Sequence, residues 1–151
     1  MSRSVAIAGN DAVRVVKAVL DTNVVVSAHL KGGGREALIL ELALTERFKL
    51  VISQALLEEY GGVLRRPRFN LDPGKITRSI RAIRDVAVLV QPQKQLHVTR
   101  DPDDDKVLEC ALEGGAEYVV TGNVRDFPKQ FQNIRIVPPR RFLEILATHL
   151  G

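Results

Sequence analysis

Short apolar runs alternate with helical segments along this chain, and the alternation constrains the fold more than any other feature. Five runs rich in Val, Ile and Leu are short enough to be buried strands, at residues 13–20, 48–52, 86–90, 118–121 and 134–137. Helical patterns lie around them, at residues 23–30, 35–47, 53–65, 103–112 and 140–150, and from residue 73 onward. Strands separated by helices pair in parallel through right-handed crossovers. We therefore predict an α/β fold with a central sheet of about five parallel strands and helices on both faces.

Serine, proline and glycine residues mark where several of these helices begin or end. Three glycines at positions 32–34 stop the first helix, and Pro67 breaks the third. Ser53 is a candidate N-cap for that third helix, because its side chain can accept a backbone N–H from the first turn. Gly114 and Gly115 end the helix that precedes the fourth strand.

The size and composition of the chain fit one domain. It has 151 residues, of which 45% are hydrophobic and 26% charged, and a domain of this size buries roughly 70% of its unfolded surface. We interpret residues 1–13 as a flexible leader and residues 14–151 as a single domain. The only cysteine, Cys110, excludes an internal disulfide and a cysteine zinc cluster. A single cysteine also favours a cytoplasmic location.

Charge and hydropathy narrow the range of partners. The net charge of +4 is compatible with attraction to nucleic-acid phosphates. No run of about 18 apolar residues occurs, so we predict no membrane span. Arg65, Arg66 and Arg68 flank Pro67 and are candidate contacts for an RNA backbone, although a solvated surface run explains them equally well. A second basic strip, at residues 78, 81 and 84, has the same two explanations.

Acidic and amide side chains lie just beyond the predicted strands. Asp21 directly follows the first strand, and the others are Glu58 and Glu59 after the second strand, Asp101 and Asp103–Asp105 at a helix start, and Asn123 and Asp126 after the fourth strand. Because the carboxyl ends of parallel strands meet at one edge of a sheet, we expect these side chains to converge. Convergent carboxylates suit a hard cation such as Mg²⁺. Such a cation can acidify a water and neutralise a scissile phosphate.

Each acidic residue taken alone also has a purely structural explanation. Asp21 can cap the helix that follows it, and the run at 103–105 can complement a helix N-terminus. Glu58 and Glu59 can be solvated helix residues, and Asp126 can be a turn residue. Their joint placement at one edge of the sheet is what favours a catalytic site.

Four segments in this order resemble the PIN-domain family, and specifically its small prokaryotic members described as toxin components. They are residues 19–24 (VLDTNV), 52–60 (ISQALLEEY), 101–106 (DPDDDK) and 120–127 (VTGNVRDF). The resemblance covers roughly residues 15–147. It implies a Rossmann-like, three-layer α/β/α fold and a metal-dependent ribonuclease that hydrolyses single-stranded RNA.

The resemblance also implies roles for particular residues. Asp21, Glu59 and Asp104 correspond to carboxylates that bind Mg²⁺ or Mn²⁺. Glu59 is preferred to Glu58 because the family places its acid six residues after the serine at the strand end. Asp104 is preferred to its neighbours because the apolar helix positions of the family then fall on residues 107 and 111.

The fourth acidic position departs from the family pattern. Asn123 stands where many relatives have an acid, although some toxin-like members also have Asn there and an acid three residues later, which Asp126 matches. We therefore assign Asp126 to the catalytic set and Asn123 to a supporting role, and expect any second metal to bind more weakly or only with substrate. Thr22 and Thr121 are candidates for hydrogen bonds that hold the carboxylates.

The resemblance further implies an antitoxin protein as a partner, a homodimer and RNA as the substrate. Two other functions remain open from the sequence. The departure at Asn123 is compatible with a non-catalytic RNA-binding or scaffold domain that has kept the fold. A phosphatase acting through an aspartyl-phosphate at Asp21 is the other alternative, but it would normally require a second Asp at position 23, where this chain has Asn.

Overall fold

The computed structural model describes residues 15–150, and the predicted leader over residues 1–13 lies outside them. In chain order the elements are β1 (Lys17–Leu20), α1 (Thr22–Leu30), α2 (Arg35–Leu44), β2 (Lys49–Ser53), α3 (Gln54–Leu64), α4 (Pro73–Val86), β3 (Val88–Val90), α5 (Pro102–Gly114), β4 (Tyr118–Val120), β5 (Gln130–Phe131), β6 (Ile134–Val137) and α6 (Pro139–Leu150). Short 3-10 helices occur at Pro67–Phe69 and Val124–Asp126. Within residues 15–150, no helix is long and apolar enough to cross a membrane.

Within residues 15–150, one six-stranded sheet forms the centre of the fold, in the order β3-β2-β1-β4-β6-β5. All neighbouring strands are parallel except β5 and β6. Helix α5 packs on strands β1 to β4, while α2 packs against α1, α4 and α6. The predicted α/β fold with a mainly parallel sheet flanked by helices is confirmed.

The direction in which the chain crosses the sheet reverses between β1 and β4. From β1 the chain moves outward to β2 and β3, and it then returns to place β4 on the other side of β1. Leu20 and Val120 are paired at the carboxyl ends of these two strands. Asp21 and Thr121 directly follow them, so both lie at the switch point where open α/β sheets place their ligand sites.

Strand β5, at the edge of the sheet, was not predicted from the sequence. It contains only Gln130 and Phe131, which pair antiparallel with Arg135 and Ile134 of β6. Gln132, with a φ of 53°, helps to turn the chain between them. Two residues are too few to show an apolar alternation, so the sheet has five parallel strands, as predicted, and a short antiparallel edge.

Several element boundaries differ from the predicted ones by a few residues, as in β1, which begins at Lys17, and two of the differences have a clear local reason. Helix α2 ends at Leu44 rather than at residue 47, because the chain turns through Glu46, whose φ is 57°. The Thr45 hydroxyl donates to the Glu41 carbonyl at 2.9 Å and satisfies one of the last helical acceptors. Helix α4 continues to Val86, so β3 begins at Val88 rather than at residue 86.

The predicted helix signals at Ser53 and Gly115 are confirmed. The Ser53 side chain caps α3 by accepting the Leu56 N–H at 3.1 Å. Gly115 ends α5 with a φ of 64°, in the left-handed region that glycine adopts without steric cost. Both residues orient helices that carry acidic side chains.

Gly114 allows α5 to lie directly on the central sheet. A Cβ atom at this position would stand 2.3 Å from Cγ1 of the fully buried Val51 on β2. The branched side chain of Val51 has little rotamer freedom with which to move aside. The close approach of helix and strand therefore requires glycine at position 114.

Replacing Gly114 with Ala should lower the free energy of unfolding by about 1–3 kcal/mol, the usual cost of overpacking a core. Gly62→Ala is the matched control, because no atom of residues 15–150 outside its own helical turn lies within 4 Å of the Cβ position at this site in α3. The control should be neutral or stabilising by up to about 1 kcal/mol, through helix propensity. Urea denaturation of both variants provides the comparison, and equal stability of the two would contradict this account of the contact.

Candidate active site

Asp21 lies at the carboxyl end of β1, where it is the N-cap of α1. It is only 6% exposed. Its Oδ1 accepts the Thr22 N–H at 2.8 Å, and its Oδ2 accepts the Thr121 hydroxyl at 2.8 Å. Burial raises the pKa of Asp21 in spite of these hydrogen bonds, and the negative charge of Asp126 adds to the rise. The carboxylate is thus fixed in position and costly to ionise.

Asn23 joins the ends of β1 and β4. Its Nδ2 donates to Asp21 Oδ2 at 3.2 Å and to Thr121 Oγ1 at 3.4 Å, and its Oδ1 accepts the Gly122 N–H at 3.0 Å. Thr121 is fully buried, and its hydroxyl oxygen also accepts the Asn123 N–H at 3.0 Å. A supporting role was predicted for Thr121 but not for Asn23. An amide two residues beyond a strand-end Asp was the available signal.

The two adjacent glutamates of α3 have different surroundings. Glu59 is half-buried and accepts the hydroxyl of Thr22, whose backbone N–H is bonded to Asp21. Burial raises the pKa of Glu59, and the negative charges of Asp103 and Asp21 raise it further. Glu58 is exposed and accepts the side-chain amide of Gln54 at 3.0 Å. The structure therefore places Glu59, and not Glu58, at the acidic edge beside Asp21.

Asp104, in the first turn of α5, has the most strongly perturbed carboxyl group at this edge. Partial burial and the negative charges of Asp21, Asp101, Asp126 and Asp103 together raise its pKa to about 7. At neutral pH in the absence of a cation, Asp104 is therefore only about half ionised. A cation placed among these carboxylates would remove the cause of the shift.

Two other aspartates of the 101–105 run, Asp101 and Asp105, have structural roles. Asp101 caps α5 by accepting the Asp103 N–H at 2.9 Å. Asp105 is buried and accepts the backbone N–H groups of Thr99 and Val98 at 2.8 and 3.0 Å, as well as the Thr99 hydroxyl. Burial opposes ionisation of Asp105, but these hydrogen bonds outweigh it and lower its pKa. Asp105 thus holds the preceding loop, which leaves Asp104 facing the site.

Asn123 and Asp126 lie on the other side of the edge, just after β4. Both are exposed. Asn123 directly precedes the 3-10 helix Val124–Asp126, and Asp126 is the last residue of that helix. The charge of Asp126 raises the pKa of both Asp21 and Asp104, so it belongs to the same electrostatic cluster. The structure therefore brings together the four carboxylates that the sequence analysis selected.

The basic residues selected from the sequence lie farther from this cluster. Arg65 follows Glu59 by six residues along α3, which corresponds to about 9 Å of helix. Its guanidinium donates to the Thr77 hydroxyl at 3.3 Å, and the Arg68 guanidinium stacks 4.8 Å from the Phe69 ring. Arg66 is exposed between them. Arg65, Arg66 and Arg68 thus form a separate surface beyond the carboxyl end of α3.

The donor set at the acidic edge has the chemistry that a hard divalent cation requires. All of its side chains present oxygen ligands, which Mg²⁺ and Mn²⁺ prefer. Cys110, the only thiol, is fully buried in the core, where burial raises its pKa to about 12. Within residues 15–150, no three His, Cys, Asp or Glu side chains already stand in an arrangement that could hold a metal ion. The oxygen ligands therefore have the chemistry that such a cation prefers, but their side chains are not already arranged around a metal position.

The fold and this edge define a Rossmann-like α/β protein with a carboxylate cluster at its switch point. A family model described as the PIN domain matches residues 17–125. The match covers more than half of the chain, so the protein belongs to the PIN-domain family, whose members are generally nucleases. Asp21, Glu59, Asp104 and Asn123 lie inside the matched segment, which ends one residue before Asp126.

This chain is also similar to individual proteins, in sequence to one and in fold to two others. An uncharacterized protein of Methanocaldococcus jannaschii is 29% identical over 141 residues, which cover 85% of this chain and 90% of that protein. A chain in the crystal structure of VapBC2 from Rickettsia felis, bound to a DNA fragment from their promoter, superposes with a TM-score of 0.56. It is 18% identical, and the match covers 82% of this chain and 98% of that chain. A Pyrobaculum aerophilum protein gives a TM-score of 0.60 at 16% identity, over 89% of this chain and 90% of that one.

Proposed function

We propose that this protein is a metal-dependent endoribonuclease that hydrolyses phosphodiester bonds of single-stranded RNA. The observation that carries the proposal is the acidic edge. Asp21, Glu59 and Asp104 come from three different elements, and all three pKa values are raised by burial and by one another's charge or that of neighbouring aspartates. Clusters of mutually perturbed carboxylates are more typical of functional sites than of solvated surfaces.

In this proposal Asp21, Glu59 and Asp104 hold a Mg²⁺ or Mn²⁺ ion. When bound, the ion would supply charge neutralisation at the scissile phosphate and would lower the pKa of a water. The protein's own contribution is to keep the carboxylates in place. Thr121 donates to Asp21, and Thr22 donates to Glu59, and hydrogen bonds of this kind fix the orientation of metal ligands.

Asp126 and Asn123 complete the proposed site from the β4 side. Asp126 is an exposed carboxylate within electrostatic reach of Asp21 and Asp104, so it can accept a proton from an attacking water or hold a second cation. Asn123 contributes a neutral amide, which binds a cation more weakly than a carboxylate does. We therefore infer that the site binds one metal ion tightly and a second metal ion more weakly. Arg65, Arg66 and Arg68 are proposed as a more distant contact for the RNA backbone.

The biological setting is proposed on the likeness to a VapBC2 chain, whose fold this protein shares. We infer that the protein acts in the cytoplasm as the toxin of a toxin–antitoxin pair, forms a homodimer and is neutralised by an antitoxin. An antitoxin would be expected to cover the acidic edge with a basic side chain. Growth arrest on expression, relieved by co-expression of a neighbouring small gene, would support this setting.

A non-catalytic RNA-binding or scaffold role is the second candidate, because Asn123 replaces an acid that many relatives have. Calorimetric titration separates the two functions. A nuclease of this kind should bind Mn²⁺ at the acidic edge, whereas a scaffold should bind it negligibly.

The adjacent glutamates provide a matched test of the proposed nuclease. Glu59→Gln should lower the rate of Mn²⁺-dependent RNA cleavage by at least about a hundredfold, because even outer hydrogen-bond partners of a metal ligand cost 10–100-fold. Glu58→Gln should leave the rate within about twofold, because Glu58 is exposed and bonded to Gln54. The assay follows cleavage of a labelled single-stranded RNA. Equal rates for the two variants would remove Glu59 from the site.

A further inference from the structure

A polar cleft of about 630 Å³ opens beside the acidic edge and contains two arginines that the proposed mechanism has not used. One wall is formed by the loop before α5 and the other by the 3-10 helix after β4. The lining residues are Val98, Thr99, Arg100, Asp101, Asp104, Arg125, Asp126, Phe127 and Pro128. The cleft thus contains Asp104 and Asp126 together with Arg100 and Arg125.

Neither guanidinium group forms an ion pair with the acidic residues around it in the described part of the chain. Among residues 15–150, the ion pairs shorter than 4 Å involve only Lys49, Lys106, Arg140 and Arg141 as cations. Arg100 and Arg125 are both exposed and line the same cleft as three carboxylates, yet neither pairs with them. Each therefore keeps its donors available for another anion, and a guanidinium fork binds phosphate oxygens in bidentate fashion.

Local structure positions both arginines. Arg100 lies between Thr99 and the N-cap Asp101, and the three hydrogen bonds from residues 98 and 99 to the buried Asp105 hold this loop against α5. Arg125 lies in the 3-10 helix Val124–Asp126, which closes with a hydrogen bond from the Asp126 N–H to the Asn123 carbonyl at 3.0 Å. The two cations therefore stand on opposite, locally ordered walls.

We propose that Arg100 and Arg125 form a phosphate clamp for the strand of nucleic acid next to the bond that is cut. A polyanion cannot approach the cluster of Asp21, Asp104 and Asp126 without compensation, because like charges repel at short range. The clamp supplies positive charge within the same cleft as Asp104 and Asp126, so it would hold a flanking phosphate there. This inference rests on the proposed function, since it names the residues by which the same site holds its substrate.

Binding of a fluorescein-labelled single-stranded RNA 12-mer, followed by anisotropy in Mg²⁺ over a series of salt concentrations, tests the clamp. The experiment uses full-length protein carrying Asp21→Asn, so that the RNA remains intact. Adding Arg125→Gln or Arg100→Gln should each weaken binding about tenfold. Each should also flatten the slope of log K against log[salt] by about 0.7, the value for one lost contact to a single-strand phosphate. Arg125→Lys should retain the slope, because it keeps the charge.

Arg47→Gln is the control, because Arg47 is also exposed but precedes β2 at the opposite, amino-terminal edge of the sheet. Its binding and slope should match those of the parent. If Arg125→Gln and Arg100→Gln behave like Arg47→Gln, or if the parent does not bind the 12-mer, the clamp is overturned. The measurement does not depend on cleavage. Loss of the proposed nuclease function would instead appear as an intact RNA with the wild-type protein in Mn²⁺.

Discussion

Replacing Asp21 with Asn should abolish metal-dependent RNA cleavage and leave the fold intact. We expect a loss of at least about a hundredfold in rate, because Asp21 is proposed to contact the metal and even indirect partners of metal ligands cost 10–100-fold. The fold should persist because Asn caps helices about as well as Asp. The Oδ1 atom of the substituted asparagine can still accept the Thr22 N–H, as Asp21 Oδ1 does in the wild type.

Two measurements separate the chemical effect from a structural one. Urea denaturation should give a free energy of unfolding within about 1 kcal/mol of the wild-type value, in line with the similar capping strength of the two residues. Calorimetry with Mn²⁺ should show that the binding isotherm is lost. A variant that cleaves RNA as fast as the wild type would rule out Asp21 as the central ligand.

Asp104→Asn should have opposite effects on activity and on stability. Cleavage should fall by at least about a hundredfold, for the reason given for Asp21. The metal-free protein should become more stable at pH 8, because the folded state then bears an ionised Asp104 whose pKa is raised to about 7. The gain should be on the order of 1 kcal/mol, since Asp104 is partly exposed and solvent screens much of the repulsion.

The pH dependence of this effect has a defined sign. The folded-state pKa of Asp104 lies above its ordinary value of 3.8, so its contribution to stability is greatest below about pH 4 and is lost as the pH rises to about 7. In EDTA, the wild-type free energy of unfolding should therefore fall between about pH 4 and pH 7 more steeply than that of Asp104→Asn. Asp85→Asn, on an exposed residue of α4, should retain the wild-type slope. A variant that is less stable than the wild type at pH 8 would contradict the repulsion.

The same pKa governs the competition between protons and the metal. Below pH 7 a proton occupies Asp104 in most molecules, so the apparent affinity for Mn²⁺ should weaken about tenfold for each further unit of pH. Asp21 and Glu59, whose pKa values are raised in the same direction, reinforce this trend.

Much of the fold and part of the site could be predicted because they depend on local sequence. Each strand that ends beside the site is a continuous apolar run, and Asp21 and Thr121 follow two such runs directly. The preference for Asp104 over Asp105 was implied by the resemblance to the PIN-domain family. In the structure Asp105 is the buried acceptor of the 98–99 loop, whereas the charges of Asp21 and Asp126 act on Asp104.

The features that sequence reasoning missed depend on tertiary geometry. Asn23 supports the site only because β1 and β4 are neighbours, which brings it within reach of Gly122. The cleft with Arg100 and Arg125 forms between two irregular segments that are 25 residues apart in the chain, and neither has a periodic pattern. Strand β5 is too short to leave a signal. Each of these features arises where separate elements meet.

One measurement tests the central claim most directly: incubation of the wild-type protein with end-labelled single-stranded RNA and with the matching duplex, in Mn²⁺ and in EDTA, followed by mapping of the cuts. The account predicts internal cuts in the single strand that require Mn²⁺ and are absent with Asp21→Asn. Intact RNA with the wild-type protein in Mn²⁺, or equal cleavage by Asp21→Asn, would contradict it.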